Sequence, residues 1–452
     1  MFPVRHPMLA AALVCLFTGA ATFSTLSSAN PANVARLKND LTPLGAERAG
    51  NKDGSIPAWT GGFSGTIAGD QPGGRRGDPF KDEKPLYTVT AQNMAQYADK
   101  LTDGVKALLN KYPQSYKLNV YKTHRTAMAP QSVYDNTALN VSRAKLEGES
   151  LAGAYGGIPF PIPKNGVEAI WNHKVSWRGV AWEALLNQYQ ITADGKVVLA
   201  TEGHIRQRMP YYLPDGSPEK FDGYYWEVNL ANSGPPLRAG EMIVGRLRTD
   251  DSSVTYVYLT GQRRVRKLPS SCCDTPTPAS AGLMSFDELN VFSGKSDLFD
   301  WKLVGKKEML IPYNQNRFLQ AKDADIITGQ HLNPEHVRWE LHRVWVVEAQ
   351  LRDGQRHQAP RSVYYLDEDT WQAVLGDRWD SKNQLWKTLW GFNYVMPDVP
   401  GTVQQTFGFY DLLGGQAYVA NVLNDKSYHH RPVKPWPTQV FTGDGLAAQG
   451  VR

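Results

Sequence analysis

Thr255-Tyr-Val-Tyr-Leu-Thr-Gly-Gln-Arg-Arg-Val-Arg-Lys-Leu268 is the stretch whose reading decides the fold. It reads as a hairpin: a β-rich run, a turn at Thr260-Gly261-Gln262, and a cationic return strand. Similar units lie on both sides. Residues 189–199 turn at Asp194-Gly195, and strands are expected near 204–209, 225–230 and 242–248. After a Pro-, Ser- and Asp-containing loop over 269–300, strands resume at 301–303, 307–313, 337–351, 361–366, 371–377, 384–395 and 416–423. The hairpin is therefore expected in the middle of one large antiparallel sheet. Strand, turn and strand at short spacing with few helices give the fold class: mainly β (β-rich α+β), an antiparallel sheet curled into an open half-barrel.

One helix is expected, over 91–111. Met94, Tyr97, Leu101, Val105, Leu108 and Tyr112 draw a single apolar stripe, Thr90 can cap its start, and Pro113 stops it. This amphipathic helix is expected on the concave side of the sheet, and a weaker one over 136–146. Gly156-Gly-Ile-Pro-Phe-Pro-Ile-Pro-Lys-Asn-Gly166 reads as a rigid extended strap, because three alternating prolines remove backbone donors.

The chain has 452 residues, 41% of them hydrophobic, with 13 Trp, 21 Tyr and 15 Phe, which suffices for a large core. The net charge of +5 is small for this length, and no basic run or nucleic-acid motif is present, so no nucleic-acid partner is expected. Residues 1–29 read as a signal peptide: Arg5 and His6 precede an apolar core too short to span a bilayer, and Ser27-Ser-Ala29 suits cleavage. A retained anchor is the alternative. A lipoprotein reading at Cys15 fails, because Val14 is bulky and Cys15 sits inside the apolar core. The chain is thus expected in the periplasm of a Gram-negative bacterium. Residues 30–85, rich in Gly, Pro, Asn and Asp, form an extended arm anchored by Ile56, Trp59 and Phe63, and 86–452 form the β domain. Cys272 and Cys273 are adjacent, so they either close a vicinal disulfide or remain as two thiols.

The Gly157-Ile-Pro-Phe-Pro-Ile-Pro-Lys-Asn-Gly strap, the segment Asp300-Trp-Lys-Leu-Val-Gly-Lys-Lys-Glu-Met-Leu-Ile-Pro-Tyr-Asn314 and the arm over 41–62 resemble the exported bacterial proteins catalogued as domain of unknown function 1329. The hairpin at Gly261 and Phe286-Asp-Glu-Leu289 are similar, more weakly, to the lipoprotein-sorting half-barrels of the LolA, LolB and LppX type. The first resemblance implies a resistance-nodulation-division exporter as partner; the second implies a sheet that holds acyl chains. Neither supplies catalytic residues.

Three strands carry Arg at i and i+2: Arg206/Arg208, Arg246/Arg248 and Arg264/Arg266. Each pair shares a face. They either join as a cationic band for a carboxylate or phosphate, or form a solvated outer face paired with acids of the next strand. The residues expected at the ligand are Leu101, Leu108, Tyr256, Tyr258, Arg246, Arg248, Arg264, Arg266, Trp339 and Trp345. Histidine spacing, with His336 and His342 six apart and His429-His430 in a loop, suits no zinc site, and Asp367-Glu-Asp369 reads as a turn. No cofactor, metal or catalytic residue is expected. The function expected is carriage of a hydrophobic or lipid-like molecule, with an inner-membrane exporter or an outer-membrane protein as partner. The alternatives are an envelope hydrolase acting on a lipid or polysaccharide, and a non-binding structural adaptor.

Overall fold

The computed structural model describes Met1 and residues 31–450. The leader reading, with Cys15 and the cleavage after Ala29, lies outside the described residues.

A sixteen-stranded sheet organises the chain. Its strands are β1 (Tyr87–Val89), β2 (Leu118–Val120), β3 (Ala181–Ile191), β4 (Val197–Arg208), β5 (Tyr224–Gly234), β6 (Met242–Arg248), β7 (Ser253–Leu259) and β8 (Arg264–Lys267). The second half supplies β9 (Phe299–Pro312), β10 (Arg338–Leu351), β11 (Arg361–Asp367), β12 (Ala373–Trp379), β13 (Leu385–Met396), β14 (Gly401–Asp411), β15 (Ala417–Val422) and β16 (Arg431–Pro432). Two meanders, β3 to β8 and β9 to β15, join side by side where β15 pairs with β3. The sheet is mixed, because β2 runs parallel to β10, and it does not close into a barrel.

The deciding hairpin forms as expected, with Arg264 opposite Leu259 and Arg266 opposite Val257. It ends the sheet and does not sit in its middle. Its return strand leaves Arg264, Arg266 and Lys267 exposed, and such charges blunt a free strand edge against further pairing. The following loop carries the chain to β9, in the other meander. Strand β14 escaped the sequence reading. Both of its faces are buried, so it shows no alternation, and its Gly408 lies where a Cβ would meet the Tyr418 carbonyl at 2.1 Å.

The stripe over 91–111 is broken. A 3-10 turn over Met94–Lys100 gives way to extended Leu101, and an α-helix starts afresh over Asp103–Lys111. Thr102, not Thr90, caps it, its hydroxyl accepting from the Val105 amide at 3.1 Å. Gly104 fixes the restart: its amide donates to Asp377 at 3.0 Å, and a side chain there would collide with that carboxylate. With Pro31–Lys38 as α1, this helix is α2; α3 (Gln131–Arg143), α4 (Gly166–Lys174) and α5 (Gly443–Gly450) follow.

Both faces of the sheet are covered. Residues 269–298 and α4 lie on one, joined where the His173 ring nitrogen donates to the Phe292 carbonyl at 2.9 Å. Call this the loop face. Helix α2 was expected on the concave side of the sheet; it packs on the face opposite the loop. The register shows why: Gly391 opposes Phe407, so Phe407 and its neighbour's Trp390 point in opposite directions, and it is Trp390 that meets Val105 and Leu108. The N-terminal arm is tied down as expected in part: Ile56 is buried, and the Trp59 indole donates to the Ala127 carbonyl at 2.9 Å. Arg125 adds the main staple, donating to the carbonyls of Glu47, Arg48, Ala49 and Pro57.

Candidate functional site

Between the loop face of β3–β7, β14 and β15 and the 269–298 loop lies a narrow cavity. Its open volume is about 90 Å³, a narrow slot and not a roomy chamber. The sheet wall is built at period two, with Trp226, Val228 and Leu230 from β5 and Ile243, Gly245 and Leu247 from β6. Met284, Phe286 and Leu289 close it from the loop. None of the lining side chains is charged; the polar ones, among them Gln188, Gln207 and Thr255, are neutral.

Buried ion pairs moor the loop. Arg378 donates to Asp287 at 2.9 Å, and His357 reaches the same carboxylate at 3.0 Å. Burial alone would raise the Asp287 carboxyl, but Arg378 and His357 hold it well below the usual range. Lys387 donates to Glu288 at 2.8 Å. Across the cavity, Arg238 donates to the Pro278 carbonyl at 2.7 Å and the Thr201 hydroxyl to that of Ala279 at 2.8 Å. The loop is thereby a fixed wall on both flanks.

None of the ten residues expected at the ligand lines this cavity, and strand parity explains most of them. Arg246 and Arg248 alternate with Gly245 and Leu247 and so point to the far face. There Arg246 and Arg208 both donate to fully buried Glu227, at 2.7 and 2.6 Å, and Arg248 pairs with Asp250 at 3.3 Å. This is an acid-paired face, and the six-Arg band does not form. Tyr256 and Tyr258 also face away, under α5, where the Tyr258 hydroxyl donates to the Gly450 carbonyl at 2.8 Å. Gly450 is needed, since a Cβ would fall 2.4 Å from that ring. Arg264 and Arg266 do share the loop face, opposite Leu259 and Val257, but stand exposed at the sheet edge. Leu108 and Trp339 line a smaller far-face cavity of about 20 Å³. Leu101 is buried at the helix break, and Trp345 stacks on Trp371 beneath the Lys306 ammonium.

Cys272 and Cys273 are free thiols with sulfurs 2.6 Å apart, beside Ser271 of the cavity wall. A hydrogen bond from Cys273, and another from Ser270, bring the Cys272 thiol down to about 6.

Folding also assembles a polar cluster that no spacing announced. His342 Nδ1 lies 3.9 Å from Asp367 Oδ1, and with Asp369 their ligand atoms fall within 4.8 Å of one another, all buried. Arg125 already takes both oxygens of Asp369, at 2.9 and 2.7 Å. The cluster thus pins the N-terminal arm and leaves too few free donors for a metal.

The cavity residues had a signal. Trp226, Val228 and Leu230, and Ile243 and Leu247, are apolar at period two on strands whose other face carries Glu and Arg. Gln188 and Gln207 had none, because a lone amide on a strand carries no pattern.

The sequence profile of the family described as protein of unknown function (DUF1329) matches residues 88–447. An uncharacterized protein of Pseudomonas aeruginosa is 35% identical, over 97% of this chain and 99% of its own. Among solved structures, a DUF1329 family protein from Desulfovibrio piger is similar with a TM-score of 0.39 and 13% identity, over 59% of this chain and 92% of that one. An outer membrane lipoprotein-sorting protein domain from Vibrio parahaemolyticus, described as putative, gives 0.43 and 13%, over 62% and 98%. A LolA superfamily protein from Nitrosomonas europaea gives 0.36 and 9%, over 62% and 98%.

Proposed function

This chain belongs to the DUF1329 family, and we propose that it is a periplasmic carrier of a hydrophobic or amphiphilic, lipid-like molecule. The observation that carries this reading is the cavity between sheet and loop, with its apolar and uncharged lining. Burying an acyl chain there yields roughly 0.8 kcal/mol per methylene, so retention needs no covalent bond. The moored loop supports holding and not turnover: Asp287 and Glu288, its buried carboxylates, are spent on Arg378, His357 and Lys387. Among the described residues, no helix is long and apolar enough to cross a membrane. The leader read from the sequence directs the chain to the periplasm, and the exporter implied by the family resemblance is the partner proposed for ligand exchange.

Native mass spectrometry with lipid extraction of protein purified from its own periplasm tests this. A stoichiometric apolar adduct, lost when Ala420→Trp fills the cavity, is expected. Ligand-free protein from that source would refute carriage.

A further inference from the structure

We infer that the cavity selects an uncharged acyl ester over the corresponding free acid, reading its carbonyl through the amide of Gln207. The inference rests on the carrier reading and names the ligand class.

Gln207 stands on β4, buried, with its side chain in the cavity wall. Its Oε1 accepts from the Trp226 indole at 2.7 Å. An indole nitrogen can only donate, so the amide has one orientation and its NH2 group points elsewhere. That NH2 meets no acceptor among the described residues; it is a fixed donor awaiting one. Gln188 is a second amide on the wall, paired with the Tyr418 hydroxyl, which can either donate or accept and so leaves its orientation open. Gln188 opposes Thr201, six residues from Gln207 along β4. At strand rise, the two amides stand about 20 Å apart. Apolar side chains fill the interval, Ile205 and Leu230 among them. The slot therefore offers an apolar path with a neutral amide at each end and a fixed free donor at Gln207.

Charge decides what kind of acceptor enters. No lining side chain is cationic, and nearby Arg238 is committed to Glu241 and to the Pro278 carbonyl. A carboxylate would enter unpaired, at a large desolvation cost. An ester carbonyl carries no such cost and satisfies the amide. The ester comes either from a membrane phospholipid, its headgroup left outside, or from a neutral glyceride.

The test uses delipidated mature protein with three probes: methyl palmitate, palmitate at pH 8 and n-hexadecane. Methyl palmitate should bind at least about tenfold more tightly than palmitate. Gln207→Leu should weaken methyl palmitate by roughly three- to tenfold and leave hexadecane unchanged. Gln188→Leu is the second variant should the first melt early. Equal binding of acid and ester overturns the inference while carriage stands, as does equal loss of ester and hydrocarbon in both variants. Failure of all three probes overturns carriage as well. Loading from phosphatidylethanolamine vesicles would assign the ester to a phospholipid. Loading only from a triolein emulsion would assign it to a glyceride. Both support the inference, and loading from neither overturns it.

Discussion

Arg378 reaches across from the sheet to Asp287 on the loop, 2.9 Å away, with neither side chain more than 2% exposed. This ion pair fixes the wall that turns a sheet face into a cavity. Removing Arg378 leaves the buried Asp287 charge with His357 as its remaining basic neighbour, at a cost of about 3–5 kcal/mol. Arg378→Met should lower the unfolding free energy by that amount in urea titrations. A loss under about 1 kcal/mol would mean that the loop is held by other contacts.

The far-face arginines should prove structural. Arg246→Gln removes one of two donors to Glu227, which is fully buried, and should destabilise the protein by roughly 1–3 kcal/mol. Ligand content per folded molecule should not change. A variant of wild-type stability that had lost its ligand would place Arg246 at the binding site after all.

Arg264 and Arg266 should behave differently, since they stand exposed on the cavity side of the free edge. An anionic membrane surface attracts each such charge by about 1 kcal/mol. Arg264→Gln with Arg266→Gln should therefore slow uptake from phosphatidylglycerol vesicles by about tenfold at low salt. Melting temperature should stay put. Rates that match wild type at every ionic strength would leave the pair with no role beyond guarding the strand edge.

Asp367 supplies a pH signature. Burial, and then the charge of Asp369, push its carboxyl up to about 7. A folded value above the unfolded one means that ionisation is easier after unfolding. The stability this group contributes is complete below its unfolded value and is lost as pH rises through about 7. Asp367→Asn cannot ionise, so its stability relative to wild type should grow by about 1 kcal/mol or more between roughly pH 5.5 and 8.5. A constant difference across that range would show the carboxylate already ionised in the fold.

The vicinal thiols give a fifth, chemical handle. With Cys272 titrating near 6, alkylation by iodoacetamide should already be close to its plateau rate at neutral pH. Mild oxidation should then remove both thiols together, as a disulfide between neighbours. Alkylation that rises through the ordinary thiol range would show that Cys273 does not stabilise the Cys272 thiolate.

Much was written locally in the chain. Alternation and Gly-containing turns, at Asp194-Gly195 and Thr260-Gly261-Gln262, announced the hairpins, because strand period and turn geometry are properties of a few adjacent residues. What the sequence left open was which face of each strand meets what. Alternation separates Gly245 from Arg246 but does not say which side is covered, and only the return of 269–298 over β5 and β6 made Gly245 the cavity side. The helix break at Thr102 depended on Asp377, 275 positions away, and the His342–Asp367–Asp369 cluster on strands meeting across a turn. Gln207 became a donor into the cavity only when Trp226 arrived on the neighbouring strand to claim its oxygen. Period and turn are short-range; burial, pairing and orientation belong to the partner that long-range packing delivers.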